Sequence, residues 1–316
     1  MNNKILIIPI GSAGGLNWWK SLRDQPNLDI IGSDCDPIVA GRWLAPEFVQ
    51  LPNVINKDFS VKLLSIVKEQ QIEIVIPVLD PILESMARLS SLLKNSGASL
   101  LLPPLQVVRA ATDKRKTYSA LQNVIRIPED FTHHSDVELP YPVLVKPAIS
   151  TGSVNIFIAE NPKELAFWRK YIKEAIVQEY LPGIEYTIDC LSNFDSEVLV
   201  ASPRLRHRVR AGLSVIGTTV SDIRLQEMAK KISTAMKLQG PWFFQTRQDG
   251  RGEHVVIEVN ARIAGGVMAT VKAGANIPRL ALQLYLTGKS ESAQARPGVS
   301  MVRYYEEIFV DAEKKI

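Results

Sequence analysis

The stretch VVIEVNARIAGG, residues 255–266, decides how this chain is read. Glu258, Asn260 and Arg262 stand at one parity, and Val255, Ile257, Val259, Ala261 and Ile263 at the other. On an extended strand successive side chains alternate faces, so the polar three share a front and the apolar five a back. Taken alone, the pattern fits a solvated sheet face as well as a ligand site. The residues just upstream show what a site here would contain. Segment 241–266 reads as an antiparallel hairpin with DGRG (249–252) at its tip. With the turn centred between Arg251 and Gly252, Gln245 stands across from Glu258 and Phe243 from Asn260. Oxygens of Gln245, Glu258 and Asn260 then converge in front of the sheet. Such donors suit a hard cation, Mg²⁺ with Mn²⁺ as a substitute, which keeps waters and takes phosphate oxygens. Arg262 is placed to meet phosphate oxygens in bidentate fashion.

Bulk properties narrow the classes. At about 100–200 residues per domain, the 316 residues suggest two or three domains. Hydrophobic residues at 46% and charged residues at 22% are ordinary for a soluble globular protein. A net charge of +4 is too small to imply a nucleic-acid partner without a concentrated patch. Cys35 and Cys190 show no metal-binding spacing, which fits a reducing compartment. The N-terminal apolar run is too short for a signal peptide, and no run reaches the ~18 residues of a membrane span. A cytoplasmic protein with no membrane partner is expected.

Residues 1–110 alternate strands and helices. Strands are predicted at 4–10, 28–34, 72–80 and 98–104, helices at 59–71 and 81–97, and a Gly-rich turn GSAGG at 11–15. This alternation predicts a small doubly wound parallel sheet. Beyond it lie a helix start at 112–122, a strand at 141–148 ending in the loop ISTGS (149–153), and a returning strand at 154–160. Asn161, Pro162 and Glu164 open a helix through a capping box. A strand, a break and a second strand follow over 174–192, then a basic extended segment, a helix at 222–237, the hairpin, helices at 267–273 and 277–287, and a closing strand at 297–310.

These motifs resemble the ATP-grasp superfamily, in particular the branch similar to the carbamoyl-phosphate synthase large subunit and its smaller amino-acid-ligase-like relatives. IEVNAR (257–262) matches the family's Ile-Glu-(Ile/Val)-Asn-Pro-Arg signature, with Ala261 at the usual Pro. The resemblance implies an α/β and α+β fold. A Rossmann-like (pre-ATP-grasp) parallel sheet over 1–110 would precede a two-subdomain ATP-grasp unit, the small subdomain at 111–182 and the large one at 183–316. It implies that Glu258 and Asn260, with Gln245 upstream, hold Mg²⁺ and that Arg262 contacts the transferred phosphoryl group. VLVKP (143–147) resembles the family's lysine strand, which makes Lys146 a phosphate ligand, with Ser153 in the loop behind it. Lys114, or Lys116 as the alternative, matches the first ATP lysine at a helix start. VQEYLPGIEYTID (177–189) resembles the interdomain hinge. It implies adenine bound by backbone groups of Glu179, Tyr180 and Leu181, Gln178 or Glu179 at the exocyclic amine, and Glu185 on the ribose hydroxyls.

RLRHRVR (204–210) sets Arg204, Arg206, Arg208 and Arg210 on one extended face. Guanidinia that close repel unless an anion lies between them. Arg208 and Arg210 are the candidates to cover triphosphate and acid substrate. Asp80 and Glu84, one turn apart, either hold an amine or simply favour a helix N-terminus. GSAGG lacks the GxG spacing of a dinucleotide site. His133 and His134 sit in a polar loop and take no role. The function implied is ATP-dependent ligation of a small-molecule carboxylate to an amine through an acyl phosphate, with a homodimer allowed. The alternatives are an MgATP-binding protein without ligase activity and an NAD(P)-dependent oxidoreductase; biotin-type carboxylation lacks any sequence sign.

Overall fold

A computed structural model describes residues 2–152 and 154–310. The first unit runs β1 (Asn3–Ile8), α1 (Ala13–Leu22), β2 (Leu28–Asp34), α2 (Ala40–Leu44), β3 (Glu47–Gln50), α3 (Phe59–Gln70), β4 (Ile74–Pro77), α4 (Asp80–Arg88), α5 (Ser90–Asn95) and β5 (Ser99–Leu100). Its strands pair in parallel in the order β3-β2-β1-β4-β5. β1 is central because both its faces are apolar. Ile5 and Ile7 enter one core and Leu6 and Ile8 another, as a parallel sheet covered on both sides requires. The helix expected over 81–97 is broken at Leu89, whose N–H turns back to the Met86 carbonyl. β3 lies outside the strands expected from sequence.

Next come α6 (Leu105–Thr112), α7 (Lys114–Leu121), β6 (Val143–Pro147), β7 (Phe157–Ala159), α8 (Pro162–Tyr171) and β8 (Ala175–Glu179). Asn161 caps α8 by accepting from the Glu164 N–H, and Glu164 answers at the Glu160 N–H. The three strands form an antiparallel sheet in the order β7-β6-β8 around Val143, Val145, Leu165 and Val177. The last unit holds β9 (Glu185–Ser192), β10 (Val198–Arg210), β11 (Leu213–Thr219), α9 (Ile223–Met236), β12 (Gly240–Gln248), β13 (His254–Asn260), α10 (Met268–Lys272), α11 (Ile277–Thr287) and β14 (Ser300–Val302). Its antiparallel sheet has the order β13-β12-β9-β10-β11-β14. The closing strand expected over 297–310 shrinks to β14, and residues 303–310 have no regular structure.

The back of the large sheet packs Trp242, Phe244, Val256 and Val259 against Leu225 and Ile232 of α9. Burying such side chains contributes roughly 1.5–3 kcal/mol each. The first sheet shares its other core with the last unit: Ile5, Ile7, Trp18 and Leu22 pack with Ile263, Val267, Ile277 and Leu280. No helix among the described residues is long and apolar enough to cross a membrane.

Candidate functional site

The hairpin of β12 and β13 pairs Phe243 with Asn260 and Gln245 with Glu258, the register expected from sequence. The alternation behind it is corrected below Glu258: Ile257 and Val255 leave the back face, and Val256 takes it. Pairing steps from Gln245–Glu258 to Thr246–Val256, which leaves Ile257 as the extra residue of a β-bulge. A bulge rotates the strand locally, so Ile257 lines the front with Glu258, while Val256, Val259 and Ala261 fill the core behind. On the front, Asn260 Nδ2 donates to Glu258 Oε1 at 2.9 Å. With its amide oriented to suit its neighbours, Gln245 donates from Nε2 to Glu258 Oε2 at 3.0 Å and accepts from Arg206. The carboxylate thus draws the Gln245 nitrogen, where sequence placed the oxygen.

A cleft of about 340 Å³ opens between the small sheet and the large one. Lys114, Lys146, Gln178, Glu179, Tyr180, Leu181 and Glu185 all line it, together with Gln245 and Glu258. Ser153 lies outside the described residues. Lys146 is 3% exposed, and its Nζ donates to the Tyr118 hydroxyl at 3.1 Å. Burial and the neighbouring Lys114 push Lys146 down to about 7, against the pull of Glu258 and Glu185. Lys114, at the start of α7, donates to Ser150 Oγ at 3.1 Å. The alternative, Lys116, does not line the cleft. Tyr118 was not foreseen; its only signal is its place one helical turn past Lys114.

Two hinge carboxylates are paired with arginines. Arg126 Nη2 donates to both carboxylate oxygens of Glu179, each at 2.8 Å, so that carboxylate is not free for a base. That leaves Gln178, 2% exposed, as the side chain at that end. Glu185 pairs with Arg206 at the opposite wall.

A second cavity, about 90 Å³, adjoins the first, and Gly152, Gln245 and Glu258 belong to both. Its basic groups are Arg204, Arg206 and Arg262. Arg208 and Arg210 are exposed and line neither cavity. The reason is local: the β10–β11 register shifts on either side of Arg208, which ends the strict alternation that put four guanidinia on one face. Arg204 is 1% exposed and forms a bidentate pair with Asp189 (2.6 and 3.0 Å). Its Nη1, and Arg206 Nε, are buried without a partner among the described residues. A Cβ on Gly266 would lie 2.5 Å from Arg204 Nη1, so only glycine lets the guanidinium into this position. Arg262 stacks 5.2 Å over the Phe243 ring and pairs with Asp80 of α4, Nε to Oδ1 at 2.6 Å. Asp80 is therefore held by Arg262, and Glu84 by Arg88 and Arg109, so neither carboxylate is open to an amine.

The GSAGG turn is filled by protein. Gly11 N donates to Asp34 Oδ2 at 3.0 Å, and a Cβ on Gly11 would lie 2.6 Å from Val39. Gly15 packs on the Pro9 and Ile10 backbone. A pyrophosphate would have to displace Val39 and Asp34, and the turn lines neither cavity.

Comparison with known proteins agrees with this arrangement. Residues 171–308 match the family described as ATP-grasp in the biosynthetic pathway with Ter operon, and residues 5–101 match the PylC-like N-terminal domain. A D-alanine–D-alanine ligase of Petrotoga mobilis is 30% identical over 119 residues, covering 36% of this chain and 40% of the relative. The carbamoyl phosphate synthase large chain of Pyrococcus furiosus is 26% identical over 226 residues, 64% of this chain and 21% of that one. This chain thus spans less than half the length of either relative. Among solved structures, the biotin carboxylase domain of Hydrogenobacter thermophilus 2-oxoglutarate carboxylase with MgADP and bicarbonate superposes with TM-score 0.76 at 13% identity, covering 95% of this chain and 73% of that one. An L-amino acid ligase from Bacillus licheniformis gives 0.72 at 20% identity, covering 91% and 74%. Fold, family matches and site motifs agree: residues 171–308 belong to the ATP-grasp family whose model they match, and the chain as a whole resembles the ATP-grasp superfamily.

Proposed function

We propose that this chain is an ATP-dependent carboxylate–amine ligase that forms an amide through an acyl phosphate and releases ADP and phosphate. One observation carries the proposal: a nucleotide-sized cleft and a small arginine-lined cavity meet at a shared wall, Gln245 and Glu258. In this reading Lys114 and Lys146 hold the phosphates and Glu185 accepts from the ribose hydroxyls. The acid's carboxylate enters the small cavity, where Arg204 Nη1 and Arg206 Nε still lack acceptors. A carboxylate oxygen attacks the γ-phosphorus, the bond to ADP breaks, and Arg262 meets the charge that develops. The amine then attacks the acyl carbon and expels phosphate. Positioning and charge neutralisation suffice, so no protein nucleophile is needed.

Glu258, Asn260 and Gln245 fit Mg²⁺: Glu258 and Gln245 stand in the shared wall, and the Asn260 amide, which lines neither cavity, lies behind them within hydrogen-bond reach of Glu258. Bound there with nucleotide, the ion would neutralise phosphate charge. Gln245 joins that set by turning its oxygen from Arg206 toward the cation. Support comes from the ligase names of two relatives and from the MgADP of a structural neighbour. The division into units 1–110, 111–182 and 183–316 belongs to the same proposal.

The test is ADP release from MgATP across a panel of small acids paired with amines. Stimulation by one pair, reduced at least about 100-fold in Glu258→Gln and Lys146→Ala, is expected. MgATP binding with no stimulated ADP release by any pair favours the nucleotide-binding alternative. Loss of neither variant's activity would remove both residues from the mechanism.

A further inference from the structure

We infer that Tyr118 is a positioning residue that gives the cleft its preference for a 6-aminopurine base, by fixing which end of the Gln178 amide faces the nucleotide; the inference rests on the nucleotide reading above. Three groups surround the phenol oxygen: Lys146 Nζ at 3.1 Å, Gln178 Oε1 at 3.2 Å and the Ile257 carbonyl at 3.0 Å. A phenol has one proton to donate and lone pairs to accept with. It cannot donate to both carbonyl oxygens.

Ile257 has the stronger claim. It is the bulge residue and has no register partner on β12. Its carbonyl can only accept, and a buried backbone carbonyl needs a donor. The amide of Gln178 carries a donor at its other end. Gln178 Nε2 is buried without a partner among the described residues. Turning the amide by half a rotation lets Nε2 donate to the Tyr118 oxygen while the phenol proton goes to Ile257. Tyr118, Ile257 and Nε2 are then satisfied together. The Gln178 polar atom then left without a partner is Oε1, a buried acceptor on a residue that lines the cleft. An acceptor there pairs with the exocyclic amine of adenine and opposes the 6-oxo group of hypoxanthine or guanine. Removing the phenol oxygen releases the amide, and Gln178 can then face either base with its matching end.

Calorimetric affinities of MgADP and MgIDP, which differ in the base at position 6, test this on the full chain. For the unaltered protein MgADP is expected to bind at least about tenfold more tightly. In Tyr118→Phe, which keeps the ring, the ratio falls toward one while the melting transition stays cooperative. Gln178→Glu presents acceptors at both ends, so the double variant Tyr118→Phe/Gln178→Glu regains the adenine preference. A merely structural Tyr118 would lower both affinities alike and would not be rescued by the glutamate. An unchanged ratio in Tyr118→Phe, or no recovery in the double variant, overturns the inference alone. Failure of the unaltered protein to bind MgADP overturns the nucleotide reading and this inference with it.

Discussion

Burial sets the protonation of Lys146. Pushed down to about 7 by burial and by Lys114, it is about half charged at neutral pH. If Lys146 holds phosphate as proposed, the bound anion favours the ammonium form and raises that value, so nucleotide binding takes up protons. The sign follows. Below pH 7 the lysine is charged with or without nucleotide, and its contribution is flat. Above pH 7 affinity for MgADP falls, by up to roughly tenfold per pH unit, until the pKa of the complex is passed. Calorimetry in buffers of different ionisation enthalpy should show proton uptake at pH 8, and Lys146→Gln should abolish it. Lys146 was legible as a cleft candidate because a strand-end lysine before a Gly/Ser turn is a local pattern. Its partner Tyr118 was not, since the contact joins a helix to a strand 28 positions away.

At the scale of elements, two hairpins frame the site and differ in how well sequence described them. The β12–β13 register near Glu258 matched because two offsets cancel: near the tip the strands pair about Arg251, half a residue from the expected turn centre, and the bulge at Ile257 restores the Gln245–Glu258 pair. The bulge at Ile257 was invisible, because an apolar side chain suits either face. In β10 the shifts around Arg208 moved the useful guanidinia from Arg208 and Arg210 to Arg204 and Arg206. The tip of the β10–β11 hairpin also reaches across the cleft. A Cβ on Gly212, at φ 74°, would lie 2.5 Å from Gly152 Cα in the loop after β6. Gly212→Ala combines that clash with left-handed strain of about 1–3 kcal/mol and should weaken MgADP binding roughly tenfold. Equilibrium binding of MgADP to the variant checks this; unchanged affinity would mean that the loop and the tip do not close on the nucleotide.

In the whole molecule, the first sheet is built into the site and is not an appendage. Its core is continuous with α11 and with Ile263 and Val267 just after the signature strand. Asn17 of α1 donates to the Gly265 carbonyl at 3.0 Å, and Asp80 of α4 holds Arg262. Asp80→Asn removes the charge that anchors Arg262, so it should lower kcat at least about tenfold while leaving MgADP affinity unchanged. Steady-state kinetics with the active acid–amine pair, set beside calorimetry, separates the two effects. An equal loss in both would point to global disruption instead.

Sequence by itself determined the parallel first unit, the hairpin that carries Glu258, and a set of cleft residues from Lys114 to Glu185. Each of these is written in local periodicity, caps, turns or a short motif, which depend on neighbours a few positions apart. Tertiary structure alone decided that Glu179 belongs to Arg126, that Asp80 belongs to Arg262, and that Arg204 and Arg206 reach the inner cavity. A charged side chain takes the partner that packing brings within reach, and for Arg262 that partner lies 182 positions away along the chain.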